Sequence, residues 1–304
     1  MAKKMKSYLL LLLCVLLLCS CGTNQYDESV QSKLVKPEEY KEEDRVAVKD
    51  IKNNRKYVGH ATQILSYPKP TTGWYKRVQG GCFVDDHFYV ANFAGDGDGN
   101  MVVISVVDME GNVVKESEPM DLDHANSITY VEKEDALYIA NCQQEGDNSV
   151  WYRYSVVDRA TLTLVRAEQA ERQFSALSYS PEKVMFVGLR GGGVGFELFD
   201  GEMNHLEAIP KIERGSVSQG GWCDESGIWF VRSISKEWMS ELLHYDWEGN
   251  LIHEILLPDI YDEAEDIAYI GETIYITGTA RTVWEISLYD ITNLKAKEKN
   301  KSKN

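Results

Sequence analysis

Two short motifs, Gln79-Gly80-Gly81 and Gln219-Gly220-Gly221, recur far apart in the chain and set side-chain amides beside glycines. Glycine lets a ligand or a neighbouring strand approach the backbone closely, so each motif reads as a binding loop or as a place where strands crowd together. His124, Asn126, Asn92, Asn141 and the arginines Arg190, Arg232 and Arg281 stand at comparable places, beside short apolar runs. Guanidinium groups grip carboxylates through paired hydrogen bonds, so three of them on one face would suit an anionic ligand such as an acidic sugar. Asp123, Glu265 and Asp266 are the carboxylates available there, and most glycoside hydrolysis uses two such groups flanking the scissile bond. Plainer readings accompany each: asparagines bond loop backbone, and a histidine beside an aspartate is often just a satisfied loop residue.

These residues share a face only if the intervening elements repeat, and they do. Tyr89-Val90-Ala91-Asn92 returns as Tyr138-Ile139-Ala140-Asn141, then more loosely at Phe186-Val187, Phe230-Val231 and Tyr275-Ile276, at spacings of 49, 48, 44 and 45 residues. After each comes an alternating run ending in aspartate, at Asp108, Asp158, Asp200, Asp246 and Asp290. A period of this length built from short strands predicts an all-β propeller, here with five four-stranded blades. In the first blade the strands are Gly80 to Val84, His87 to Asn92, Met101 to Asp108 and Val113 to Glu116. The fifth repeat runs out after Asp290, while Thr62 to Tyr67 is a spare strand ahead of the first blade, so an N-terminal strand is expected to close the ring. A sixth blade from Val46 to Val58 is the alternative. In this geometry the entry to each inner strand and the exit from each second strand converge on one face. That face gathers Gln79, Asn92, His124, Asn126, Asn141, Arg190, Gln219, Arg232 and Arg281 as candidate ligand-binding residues, with Trp74, Tyr75, Phe174 and Trp222 as candidate walls.

The pair Tyr89 to Asn92 and Val103 to Asp108 resembles the unit of the bacterial YVTN-type propeller repeats, and Leu137 to Asn141 with Tyr154 to Asp158 is a second match. The resemblance implies a surface-exposed propeller and brings no catalytic motif. At the N-terminus, Lys3, Lys4 and Lys6 precede an apolar run, and Leu18-Cys19-Ser20-Cys21 resembles the lipobox of bacterial lipoproteins. That resemblance implies a signal peptide over residues 1–20 and lipidation of Cys21. Residues 21–45 then form a polar tether, 46–293 the propeller and 294–304 a lysine-rich tail. The expected location is the cell envelope, facing outside the cytoplasm and held to the bilayer through Cys21.

Removing the three signal-peptide lysines leaves 29 basic against 48 acidic residues, a net charge of −19. Such acidity argues against nucleic acid as a partner. Cys82, Cys142 and Cys223 remain as an odd, widely spaced set expected to be buried structural thiols. Asp96, Asp98 and Asn100 offer oxygens for a loop calcium ion, but Met101 and Val107 stand where an EF-hand needs glycine and glutamate. No other cofactor is implied, and no nucleophile elbow, zinc signature or phosphate loop is present. A glycan- or protein-binding propeller is the leading expectation. A glycoside hydrolase using carboxylates of the same face is the alternative.

Overall fold

The computed structural model describes residues 41–73, 75–94, 100–142, 152–190, 195–210, 218–234, 239–260 and 262–292. Five antiparallel sheets are arranged as the blades of a ring, and the fold is a five-bladed β-propeller. Blade 1 comprises Arg77–Val84, His87–Phe93, Met101–Asp108 and Val113–Glu116, and blade 2 Ser127–Val131, Ala136–Ala140, Arg153–Asp158 and Leu164–Gln169. Blade 3 runs Ala176–Ser180, Met185–Leu189, Phe196–Asp200 and His205–Ile209, and blade 4 Ser218–Asp224, Gly227–Ile234, Met239–Tyr245 and Leu251–Leu257. Blade 5 has Ala264–Ile270, Thr273–Gly278 and Thr282–Asp290, and its outer strand is Tyr57–Ser66 from the N-terminal side. That closing strand registers Tyr57 on Asp290 and Ser66 on Thr282. It begins five residues before the expected Thr62, because the blade-5 strand it must cover is long. Residues 46–58 build no sixth blade: Arg45–Val46 pairs with Tyr289 and Leu288 on the flank of blade 5.

The core is divided among the seams between blades. Phe196 stacks on Phe230 across blades 3 and 4 at 5.3 Å, Tyr138 meets Phe186 across blades 2 and 3 at 4.9 Å, and Phe83 stacks on Tyr275 across blades 1 and 5 at 6.4 Å. The repeating aromatic marker of the sequence thus wedges the seams between blades 2 and 3, 3 and 4, and 5 and 1, while Trp229 and Trp284 fill the seam between blades 4 and 5. Because the middle strands have a neighbouring blade on both faces, Val102 to Val107 are all buried and the strand reads as a continuous apolar run. The outer strand Leu164–Gln169 has no such cover and is mostly exposed.

The aspartate that ends each third strand is a turn cap. Asp108 accepts the backbone N–H groups of Glu110 and Asn112 through Oδ1 and the Asn112 side chain through Oδ2. Asp200 with Asn204 and Asp246 with Asn250 repeat the arrangement. Hydrogen bonds from the paired asparagine draw the pKa of Asp108 and of Asp200 below the usual carboxylate range.

At the axis one carboxylate joins the ring. Asp266, fully buried on the inner strand of blade 5, accepts the N–H groups of Gly81 in blade 1 and Ile128 in blade 2 at 2.9 Å each through Oδ2. Oδ1 accepts its neighbour Ile267 at 2.9 Å, and the Gly221 N–H of blade 4 also points at this carboxylate. The glycines of the two Gln-Gly-Gly motifs permit this close approach, Gly220 to Asp266 itself and Gly80 to the neighbouring blade. A Cβ on Gly220 would lie 1.6 Å from Asp266 Oδ1, and one on Gly80 would lie 2.6 Å from the Ser127 carbonyl carbon. Gly220→Ala is therefore expected to cost at least about 3 kcal/mol, the scale of overpacking joined to a disturbed buried hydrogen-bond network, in urea unfolding followed by circular dichroism.

Blade 4 contains a buried histidine pair. His244 lies flat against Trp229 at 4.0 Å, and its Nδ1 is 3.1 Å from Nδ1 of His253, whose Nε2 meets the Lys52 carbonyl at 3.1 Å. Burial, with His253 adding to it, depresses His244 to about 4. The folded protein then takes up this proton less readily than the unfolded chain, so the contribution is intact above about pH 6.5 and is lost as pH falls through about 4, roughly 3 kcal/mol in all. Melting temperature against pH for the parent and for His244→Phe should diverge across that window, with the variant showing the flatter profile.

Candidate functional site

The strand directions put Gln79, Asn92, His124, Asn126, Asn141, Arg190, Gln219, Arg232, Glu265 and Arg281 at the same end of the ring, where inner strands begin and second strands finish. Most are engaged within the fold. Asn92 donates to Ser105 Oγ at 3.0 Å and to the Val103 carbonyl at 3.3 Å. Asn141 donates to Asp123 at 3.0 Å and accepts from Ser155 Oγ at 2.9 Å, and Arg153 closes on Asp123 at 3.0 Å. Asn126 crosses from blade 2 to the Ser175 carbonyl at 2.9 Å, and His124 packs its ring against Phe93 at 4.8 Å. Gln79 is buried, and Gln219 donates to Glu263 at 3.2 Å.

The three arginines do not act as one open cluster. Arg190 pairs with Glu197 at 3.4 Å, and Glu197 also takes His205 Nε2 at 2.8 Å. Arg232 is hydrogen-bonded to the buried Glu241 on the neighbouring strand. Arg281, at φ 66° in the turn between the last two strands of blade 5, donates to the Tyr75 carbonyl at 2.7 Å. Its Nε has no hydrogen-bond acceptor among the described residues. Burial lowers its pKa from the ordinary guanidinium value. Of the expected walls, Phe174 sits in the seam between blades 2 and 3 against Phe199, and Trp222 lies tilted against Tyr269 at 4.2 Å.

The three candidate acids separate clearly. Asp123 is neutralised by Arg153 and Asn141, and Asp266 is the axial hub. Glu265 differs from both: it is fully buried, and neither carboxyl oxygen has a hydrogen-bond donor among the described residues. Burial, with Glu263 and Asp262 adding like charge, pushes its pKa well above the carboxylate range. Thr279 and Arg77 act the other way, but the Thr279 hydroxyl donates to the Val78 carbonyl at 3.3 Å. Glu265 therefore holds its proton more tightly than a free carboxyl does, and in the protonated form it can donate one hydrogen bond and accept another.

Tyr67, Asp262 and Glu263 belong to this neighbourhood and were absent from the sequence-derived candidates. Tyr67 follows the closing strand, and its buried hydroxyl has no partner among the described residues while feeling the charges of Arg281, Asp262 and Glu265. Asp262 is committed locally, accepting Thr282 Oγ1 at 3.0 Å and the Ala280 N–H at 2.8 Å. The acidic run from Asp262 to Asp266 was the available signal for the two acids. For Tyr67 the signal was the Pro68 that turns the chain from the closing strand toward blade 1.

Trp74, Asp96, Asp98, Cys21 and the lysine-rich tail lie outside the described residues. Among the described residues no group of three or more His, Cys, Asp or Glu side chains could hold a metal ion. Cys82, Cys142 and Cys223 are buried free thiols, and burial raises the pKa of Cys82 and Cys223.

The sequence matches no family model and no curated protein. Among solved structures, the glutaminyl cyclase of Myxococcus xanthus superposes with a TM-score of 0.57 at 16% identity, over 78% of this chain and 99% of that one. A calcium-binding regucalcin from Agrobacterium tumefaciens gives 0.44 at 12% identity over 72% and 93%, and BamB of Moraxella catarrhalis 0.35 at 12% over 75% and 64%. The first likeness agrees with the propeller fold.

Replacing an unpartnered buried acid by an apolar side chain of similar volume removes a desolvation cost. Glu265→Met should accordingly raise stability by about 1–3 kcal/mol in urea titration at pH 7. A loss of stability would show that the carboxyl makes a supporting contact in the folded protein.

Proposed function

We propose that this protein is a lipid-anchored propeller of the cell envelope, attached through Cys21, that captures a polar ligand at the end of the ring where Glu265 lies. The observation carrying this reading is the Glu265 carboxyl, fully buried and unpartnered among the described residues, at the end of the ring shared with Tyr67, Arg281 and the buried amides Gln79 and Gln219. Folding gains nothing from an unsatisfied buried acid, and such groups concentrate where a protein exchanges stability for binding or catalysis. Glycans suit the site because they present many hydroxyls to amides and carboxyls. An acidic sugar would draw on Arg281 more than on Arg190 or Arg232, which are committed to Glu197 and Glu241.

A second reading, an enzyme on the same face, is favoured by one specific observation: burial of Glu265 raises its pKa, the direction that suits a carboxyl to act as a general acid. The glutaminyl cyclase that shares the fold is an example of an enzyme built on it. For glycoside hydrolysis the second carboxylate would fall to Glu263, since Asp123 and Asp266 are engaged elsewhere.

Both parts of the proposal can be tested on one protein. The full chain should fractionate with membranes, and its Cys21→Ser variant should not. The released Cys21→Ser protein, screened by thermal shift against neutral and acidic glycans, should gain melting temperature with at least one, and Glu265→Met should abolish that gain. Membrane association that survives Cys21→Ser would overturn the anchor. A glycan response unchanged by Glu265→Met would move the site elsewhere, and product release from a responding glycan would favour the enzyme.

A further inference from the structure

The unpartnered buried atoms of the channel mouth constrain the kind of group the site can accept. Tyr67, Glu265 and Arg281 are each more than nine-tenths buried. The Tyr67 hydroxyl, the Arg281 Nε and both Glu265 oxygens are without hydrogen-bond partners among the described residues. The backbone ties two of them together: Tyr67 N–H donates to the Arg281 carbonyl at 3.1 Å, so the closing strand delivers Tyr67 over the turn that carries Arg281. The Tyr67 hydroxyl in turn feels the charges of Arg281, Asp262 and Glu265. One neighbourhood therefore holds two unpartnered donors and a carboxyl that can accept and, when protonated, donate.

Charge narrows the choice of occupant. An anion would enter beside Asp262, Glu263 and Glu265, and the first two already act on Glu265 as like charges. An ammonium group would face Arg281 and the Tyr67 O–H, both of which present protons to it. A neutral group with an acceptor at one end and an N–H at the other meets neither objection. Its oxygen can take the Tyr67 and Arg281 donors while its N–H donates to Glu265, satisfying buried atoms of all three residues together.

We propose that Tyr67, Arg281 and Glu265 form a recognition pocket for a carboxamide group, so that the ligand of this face carries an amide such as the N-acetyl substituent of an amino sugar. The inference rests on the ligand-binding reading above and sharpens it. It also assigns Tyr67 a role for which a packing aromatic would need no hydroxyl, since its ring already lies in the seam between blades 1 and 5.

The test compares matched probes on the Cys21→Ser protein: N-acetylglucosamine against glucose and glucuronate, and propionamide against propionate. The amide members are expected to raise the melting temperature by about 3 °C or more at a tenfold excess over Kd, with the non-amide partners producing no shift. Tyr67→Phe, which keeps the ring and removes only the hydroxyl, should weaken the amide response at least fivefold by calorimetry while circular dichroism stays unchanged. Glu265→Met should remove it. If glucose or glucuronate binds as well as the amide sugar, the carboxamide pocket is overturned and the glycan-binding reading survives. If no probe shifts the protein, or if Tyr67→Phe retains full amide binding, the pocket is overturned outright.

Discussion

The whole ring depends on where the Asp266 carboxylate sits. A propeller has no central core, only inner strands that approach one another end-on around an axis, and their N–H groups must be satisfied there. Asp266 meets that need by taking N–H groups from blades 1 and 2 as well as its own strand, with Gly221 of blade 4 pointing in. Burial works against its charge, and those N–H groups work for it. The price is steric at Gly220, where a Cβ would meet the carboxylate itself, while Gly80 lets blade 1 approach the Ser127 backbone of blade 2. Lesser links complete the circle: Ser127 Oγ receives the Leu177 N–H from blade 3, and Ser233 Oγ receives the Ala264 N–H between blades 4 and 5.

That constraint sets what remains for function. A strongly acidic chain brings many carboxylates to the channel mouth, and the fold assigns nearly every one a partner. Asp123 goes to Arg153, Glu197 to Arg190 and His205, Glu241 to Arg232, and Asp262 to the turn beside it. Such pairing holds loops and strand ends in place. Glu265, one residue from the hub and at the strand irregularity between Ala264 and Asp266, is left over. Burial raises the pKa of both acids, but N–H groups offset that shift at Asp266 and none does so at Glu265.

Architecture was legible in the sequence because it repeats. The Tyr/Phe marker and the terminal aspartate each recur once per blade, since the strands reuse an aromatic that packs into a seam and the hairpin turns reuse one cap. Met101–Asp108 and Val113–Glu116 have the bounds their alternation and turn residues predict. Side-chain partnership was not legible in the same way. Arg232 and Glu241 meet because their strands pair with those two residues in register, and Arg190 reaches Glu197 across a hairpin whose length no periodicity reports. An arginine at a strand end looks the same in sequence whether its carboxylate lies next door or in a ligand. The Gln-Gly-Gly motifs held both meanings at once, and their glycines serve the axis while Gln79 and Gln219 remain at the mouth.

The closing strand also has a meaning in time. Tyr57–Ser66 precedes every blade in the chain, yet its partner Thr282–Asp290 follows all of blades 1 to 4. A chain emerging from its N-terminus therefore presents an unpaired strand edge throughout the synthesis of the other four sheets. Every seam can pack progressively except the last, and the ring becomes edgeless at that junction only when the final strand arrives. Tyr67 and Arg281 are brought together in the same event, so the polar mouth comes into being as the molecule closes.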